Sequence, residues 1–185
     1  MKLKTPALPA LLAGAFALAL SACGDRDESA DSADSAATTE VDPRIESIFL
    51  DEEPEDAVSV VEARKEVRPG SEITVVGRVA GAMEPFSEDY STLVLADKSL
   101  MTCEQNPDDA CETPWDACCV EPKTIAASRV SVQVSSDEGR PVEQSLKGVN
   151  GLTELDEIVV TGTVNENSTA ENVVIDATGI FRKSS

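Results

Sequence analysis

Four of the five cysteines lie in one segment rich in Pro and Asp, residues 103–119, where clustered thiols could form cross-links or bind a metal ion. They are Cys103, Cys111, Cys118 and Cys119. In an oxidising compartment an even number of clustered cysteines predicts disulfides, which stabilise a long polar loop. Because a ring between adjacent cysteines is strained, we expect Cys103 and Cys111 to pair with Cys118 and Cys119 in one of two ways.

A thiolate site for copper(I) or zinc is the first alternative for this segment. Four thiolates suffice chemically, but the paired C-x2-C spacing of zinc knuckles is absent and the chain has no histidine. A redox pair is the second alternative, and the absence of C-x-x-C argues against it. An oxygen-ligand cation site is the third, although its spacing does not follow the EF-hand pattern. Its candidate ligands are Asn106, Asp108, Asp109, Glu112 and Asp116. We therefore expect no bound metal and no cofactor.

The single tryptophan, Trp115, stands inside the cysteine segment beside Asp116. A lone tryptophan in such a place most often caps the core next to a disulfide. The functional alternative is an exposed anchor, in which case Trp115 and Asp116 belong to a binding surface.

Catalysis has little support elsewhere in the chain. Without histidine, Ser-His-Asp and Cys-His catalysis and the HExxH zinc helix are excluded. Adjacent carboxylates on a strand point to opposite faces, and those on loops are usually solvated, so the adjacent pairs of this chain are not expected to form acid–base dyads. These pairs are Asp51/Glu52, Asp137/Glu138 and Asp156/Glu157. The sequence predicts that the protein is not an enzyme.

The N-terminus has the three parts of a secretory signal: a basic start at Lys2 and Lys4, an apolar run over 11–20, and small residues after it. The ending Leu20-Ser21-Ala22-Cys23 resembles the lipobox of bacterial lipoproteins. That resemblance implies a signal peptide over 1–22 and lipidation of Cys23, with acyl chains that anchor the protein to a membrane. Gly24 follows the cysteine and favours the outer membrane. The alternative is an ordinary signal cleaved after Ala22, with Cys23 a free thiol.

Residues 23–43 are predicted to be a lipidated cysteine followed by a disordered acidic linker, because they contain almost no large apolar side chains. A weak cation-binding tail is the alternative, although nothing in the segment fixes a coordination geometry. The whole chain has a formal net charge of −20, with 35 acidic and 15 basic residues. Nucleic-acid binders need basic surfaces, so we expect no nucleic acid among the partners.

The pattern of apolar and polar residues over 44–185 predicts one folded domain. Pro54, followed by acidic residues, predicts the start of a helix that places Val58 and Val61 inward and ends before Pro69. Beyond it the apolar period becomes two, which predicts five strands. These strands lie at residues 73–79, 93–95, 130–135, 158–164 and 173–180. The fold class is therefore mainly β with little helix.

Glycines inside the strands, Gly77 and Gly162, suit strands that coil to close a barrel. With a short helix before the fourth strand, the order resembles the OB-fold barrel, over roughly residues 69–183. The phrases PGSEITVVGRV and LDEIVVTGTV look like the first and fourth strands of bacterial envelope OB-fold modules. A generic β-sandwich is the structural alternative. Separately, the phrase CETPWDACC resembles a CETPWDxCC box in a family of uncharacterised bacterial secreted and lipid-anchored proteins.

Together these features predict a lipid-anchored protein of the bacterial cell envelope, on the periplasmic face of the outer membrane, that binds or scaffolds without catalysing. OB folds usually take ligands on the face of their second and third strands, next to the cysteine segment. With this negative charge, a cationic peptide, an envelope protein or a carbohydrate fits better than nucleic acid. The alternative function is handling of copper or zinc by Cys103, Cys111, Cys118 and Cys119.

Overall fold

The computed structural model describes residues 40–106 and 111–184 of the chain. The predicted signal peptide, Cys23, most of the acidic linker, Asp108 and Asp109 lie outside the described residues. The strands are β1 (Val58–Ser59), β2 (Glu72–Val79), β3 (Thr92–Ala96), β4 (Arg129–Gln133), β5 (Glu157–Val164) and β6 (Val174–Arg182). The helices are α1 (Pro43–Glu46), α2 (Val60–Glu66) and α3 (Pro122–Ala127), with 3-10 turns at Cys103–Gln105 and Val149–Gly151.

Five of these strands close into a barrel. The pairing order is β2-β3-β4-β6-β5, and β5 pairs again with β2. The β4–β6 contact is parallel, whereas the other contacts around the ring are antiparallel. A five-stranded Greek-key barrel with this order is an OB-fold-like barrel, as the sequence predicts. The alternative β-sandwich is excluded because the pairings form one closed sheet.

Alternating side chains fill the barrel. Along β2 the buried positions are Val75, Gly77 and Val79, which share one face with the partly buried Ile73, as the period-two pattern predicts. The largest fully buried side chains come from every wall of the barrel and from the segments that cover its ends. They include Ile45, Val60, Leu93, Leu95, Val132, Leu146, Leu152, Ile158, Ile175 and Ile180. In the described residues no helix is long and apolar enough to cross a bilayer.

The helix predicted to start at Pro54 begins at Val60 instead. Ser59 and Glu62 form a capping box, in which the Ser59 hydroxyl accepts from the Glu62 amide and the Glu62 carboxylate accepts from the Ser59 amide. Before it, Asp56 has a positive φ, and Val58 pairs with Val75 as part of β1. Val58 is consequently 39% exposed, so the prediction that it faces the core was wrong.

Residues 40–43, at the end of the predicted linker, are held against the folded domain. The Asp42 carboxylate accepts from the Arg44 amide and caps helix α1. The Asp42 backbone amide donates to the side-chain oxygen of Gln144 at 2.7 Å, and the Gln144 side-chain NH2 donates to the Glu40 carbonyl. Helix α1 in turn buries Ile45 completely.

We expect Asp156→Asn to lower the free energy of unfolding by about 2 kcal/mol at neutral pH. Asp156 is 8% exposed and accepts from Arg182 Nε at 2.8 Å and from the Thr153 amide at 2.8 Å. Burial alone would raise the pKa of Asp156, but the hydrogen bonds from Arg182 and Thr153 together lower it below its ordinary value of 3.8. The carboxylate therefore stabilises the fold above that value, and this stabilisation is lost as the pH falls through the lowered pKa.

Urea unfolding at pH 7 and at pH 3 checks this prediction. The difference in free energy between the parent protein and Asp156→Asn should narrow in acid, because protonation of Asp156 weakens the same contact. An equal difference in the free energy of unfolding at pH 7 and at pH 3 would contradict the stabilising role assigned to the Asp156 charge.

Candidate functional site

The four cysteines of the 103–119 segment lie on the loop between β3 and β4. A 3-10 turn at Cys103–Gln105 starts the segment, and Thr102 caps it through a capping box with Gln105. The Cys103 amide donates to the Asp116 carbonyl, and the Glu104 amide donates to the Pro114 carbonyl, both at 2.8 Å. These backbone bonds hold the start of the segment against its end.

A small cluster of apolar side chains packs against the loop. Its buried members are Ala80, Ala96, Leu100 and Ala117, and Trp115 packs against them. The Trp115 indole N–H donates to the Met83 carbonyl at 2.9 Å, and the Trp115 carbonyl accepts from the Gly81 amide. Trp115 therefore packs over this small cluster, which is separate from the main core of the barrel.

Three of the cysteines converge. The sulfurs of Cys103, Cys111 and Cys118 lie within 4.8 Å of one another, and we call these three side chains the thiol cluster. Cys103 Sγ is 3.5 Å from Cys118 Sγ, and Cys118 Sγ is 3.9 Å from Cys119 Sγ. Cys103 is buried, Cys111 is partly buried, and both Cys118 and Cys119 are exposed. The cluster therefore has a closed side at Cys103 and an open side at Cys118.

The thiols differ in acidity. Burial raises the pKa of Cys103 to about 12, and contacts with the Cys118 and Cys111 thiols add to the increase. Hydrogen bonding to Thr113, whose hydroxyl lies 3.3 Å from Cys111 Sγ, lowers the pKa of Cys111. Cys111 thus becomes a thiolate more readily than Cys103.

The structure holds all four of these cysteines as thiols, so the predicted disulfides are not confirmed. A Cys103–Cys118 bond would require the sulfurs to approach from 3.5 Å to about 2.0 Å. Two sulfurs of the cluster would then be joined and the third left beside them.

The predicted oxygen-ligand site stays a prediction, because two of its five candidates, Asp108 and Asp109, lie outside the described residues. Across residues 40–106 and 111–184, the one group of three or more cysteine, aspartate or glutamate side chains close enough to share a metal ion is the three thiols, and the carboxylates of Glu112 and Asp116 are not in it. One carboxylate oxygen of Asp116 accepts from the Ala117 amide at 2.7 Å and so supports the loop backbone.

Comparisons with known proteins add little to this geometry. No family model matches the chain, and no curated protein matches it. Among solved structures, the barrel is similar to the hypothetical protein ygiW from E. coli, at 16% identity and a TM-score of 0.35. That match covers 69% of this chain and 89% of the other. At this TM-score the OB-like assignment depends on the strand order observed in the present structure.

Sequence reasoning missed the side chains that position the cluster. Arg78 Nη2 on β2 donates to the Thr102 hydroxyl at 2.9 Å, directly before Cys103, and Thr113 contacts Cys111. The T-x-x-Q spacing of Thr102 and Gln105 is a capping-box signature that could have located the turn. The Thr113 contact has no comparable signal in the sequence.

A groove of about 1070 Å³ lies elsewhere, between residues 40–44 and the loop at 136–144. Arg44 and Arg140 in its wall are already paired with Asp42 and Glu138, respectively. None of the four described cysteines lines this groove, so its volume provides no binding space for the thiol cluster.

Proposed function

We propose that this protein is a lipid-anchored, non-catalytic binding protein of the bacterial cell envelope whose ligand is a soft metal ion. The observation that carries the proposal is the convergence of the Cys103, Cys111 and Cys118 sulfurs within 4.8 Å. The structure contains no ion, and the proposal rests on the donor set and its spacing.

The spacing suits sulfurs that share one ion. With a metal–sulfur bond of about 2.3 Å, sulfurs around a tetrahedral or trigonal ion lie roughly 3.8–4.0 Å apart. Cys103 Sγ and Cys118 Sγ are 3.5 Å apart, so they need only a small outward shift to bind the same ion. An ion would also use the third sulfur, whereas a disulfide would use two.

The donor type defines the class of ion. Thiolates select soft or borderline ions such as copper(I) and zinc, whereas calcium and magnesium require oxygen ligands. No carboxylate in the described residues joins the group, and the chain has no histidine. The ligand is therefore a thiophilic cation.

The proposed location rests on the sequence. The lipobox-like ending at Cys23 supports a lipid anchor, and the acidic segment after it supports a tether that lets the barrel stand away from the membrane. A net charge of −20 raises the local concentration of cations around the barrel, which favours metal capture.

The test is metal loading of the chain carrying Cys23→Ala, which keeps only the four cysteines of the loop. We expect native mass spectrometry to find one copper(I) or zinc ion per chain after exposure under reducing conditions. The ion should protect Cys103, Cys111 and Cys118 from alkylation until a chelator removes it. Asp116→Asn is the matched control, because asparagine keeps an acceptor for the Ala117 amide and should bind the ion equally well.

A different result would overturn the proposal. A protein purified from an oxidising compartment with two disulfides, and no metal uptake after reduction, would make the segment structural. Metal uptake that fell with Asp116→Asn and persisted after cysteine alkylation would instead indicate oxygen ligands.

A further inference from the structure

A fourth sulfur stands at the open side of the thiol cluster. Cys119 is exposed, and its sulfur lies 3.9 Å from Cys118 Sγ, yet Cys119 is not in the group that shares the 4.8 Å spacing. Because Cys118 and Cys119 are neighbours in the chain, one backbone segment presents one sulfur to the cluster and a second sulfur beside it.

This arrangement differs from a structural zinc site. Structural zinc is almost always bound by four ligands in a closed tetrahedron, whereas this cluster has three sulfurs and an exposed side. Copper(I) is a softer ion that favours thiolate and thioether ligands. Three thiolates around an ion reachable from solvent therefore fit copper(I) better than structural zinc.

The surroundings of the loop contain further soft donors. The chain has three methionines, of which Met101 precedes the cysteine segment and Met83 contacts it through its backbone carbonyl. Met101, two residues before Cys103, is 47% exposed, and Met83, whose carbonyl accepts from Trp115, is 65% exposed. Each of these exposed side chains carries a thioether, a soft donor of the type that copper(I) accepts.

We propose, on the basis of the metal-binding function above, that the cluster holds copper(I) and that Cys119 is the ligand through which copper enters and leaves. Transfer proceeds by ligand exchange: a copper–sulfur bond to Cys119 forms as a bond to the donor ligand breaks, and the bond to Cys119 breaks as the ion binds the sulfurs of Cys103, Cys111 and Cys118. Each thiol that binds copper releases its proton to water, Cys119 takes a proton up again when the ion leaves it, and a donor thiolate, once freed, also takes one up. Copper remains copper(I) throughout, so no oxidant or reductant is needed.

The experiment compares the chain carrying Cys23→Ala with the same chain carrying Cys119→Ser as well. The probe is copper(I) bound to the chromogenic chelator bathocuproine disulfonate, whose colour reports both the rate and the extent of transfer. We expect Cys119→Ser to slow transfer by about tenfold, the low end of the range over which association rates vary among variants of one site. The equilibrium distribution of copper should match that of the parent, because the three sulfurs of the cluster are unchanged.

Two further measurements complete the test. Cys111→Ser should shift the equilibrium towards the chelator, because Cys111 belongs to the cluster. X-ray absorption of the copper-loaded chain should show three sulfur ligands, in the parent and in Cys119→Ser alike.

The outcomes separate this inference from the function on which it rests. Preference for zinc, with four sulfur ligands and a lowered zinc affinity in Cys119→Ser, would overturn the inference while leaving metal binding intact. Unchanged transfer rates in Cys119→Ser would overturn the role of Cys119. Failure to bind either ion would overturn the proposed function itself.

Discussion

Replacing Cys103 with serine should lower the affinity for copper(I) at least about 100-fold, since even supporting groups around metal ligands change affinity by 10–100-fold. Cys103 is 5% exposed and is the innermost of the three sulfurs. The hydrogen bond from its backbone amide to the Asp116 carbonyl and the Thr102–Gln105 capping box fix its position. A serine hydroxyl is a hard donor in the same place, and a soft ion gains little from it. Competition with a copper(I) chelator measures the loss.

Cys103→Ser also places a hydroxyl where a buried thiol was, so its folding needs a separate check. Circular dichroism and thermal unfolding of the metal-free protein show whether the barrel is intact. Cys111→Ser is the companion variant, because Cys111 is only partly buried and should keep the fold while losing a comparable share of affinity. If both variants fold and bind copper(I) as tightly as the parent, the ion is not held by the thiol cluster.

The barrel could be predicted from the sequence because its strands obey a simple physical rule. Residues 130–134 alternate between apolar and polar side chains, and β4 buries Val130 and Val132 as that pattern requires. The glycines at 77 and 162 indicated coiled strands, and both lie on strands of the closed ring. The period-two pattern and the order of the strands along the chain can be read directly from the sequence.

The helix boundary was harder to predict because two start signals compete within a few residues. Pro54 and the acidic residues after it resemble the first turn of a helix. The Ser59–Glu62 capping box, however, provides hydrogen-bond acceptors for two backbone amides at the actual helix start. Ser59 and Val58 also pair with β2, a contact that depends on a strand farther along the chain. Long-range pairing thus decided where the helix begins.

The thiol cluster was only partly predictable for a similar reason. The sequence shows four thiols in a short loop, which predicts two disulfides with a metal site as the alternative. The convergence of three particular sulfurs depends on the backbone hydrogen bonds from Cys103 to Asp116 and from Glu104 to Pro114. Those bonds join residues separated by about ten positions of irregular loop, where no period operates.

The second large effect should come from Gly162→Ala, which we expect to lower the free energy of unfolding by about 3 kcal/mol or more, the upper end of overpacking costs. Gly162 lies on β5, opposite Ile73 of β2 and at the bulge in the β5–β6 pairing. A Cβ there would overlap the Asp176 carbonyl oxygen and lie 2.9 Å from Ile175 Cγ2. The obstacle is backbone of the neighbouring strand, which cannot move aside as a flexible side chain can.

Gly139→Ala is the matched control because it isolates the other cost of replacing glycine. Gly139 has a φ of +73°, and nothing lies within 4 Å of the position that a Cβ would take. Its replacement should cost only about 1–2 kcal/mol, from the left-handed backbone alone. Urea unfolding of the two variants compares the free-energy cost of the close Cβ contact at Gly162 with the cost of the left-handed backbone at Gly139. A loss in Gly162→Ala no larger than that in Gly139→Ala would show that β5 and β6 can separate without disrupting the barrel, against the tight closure described above.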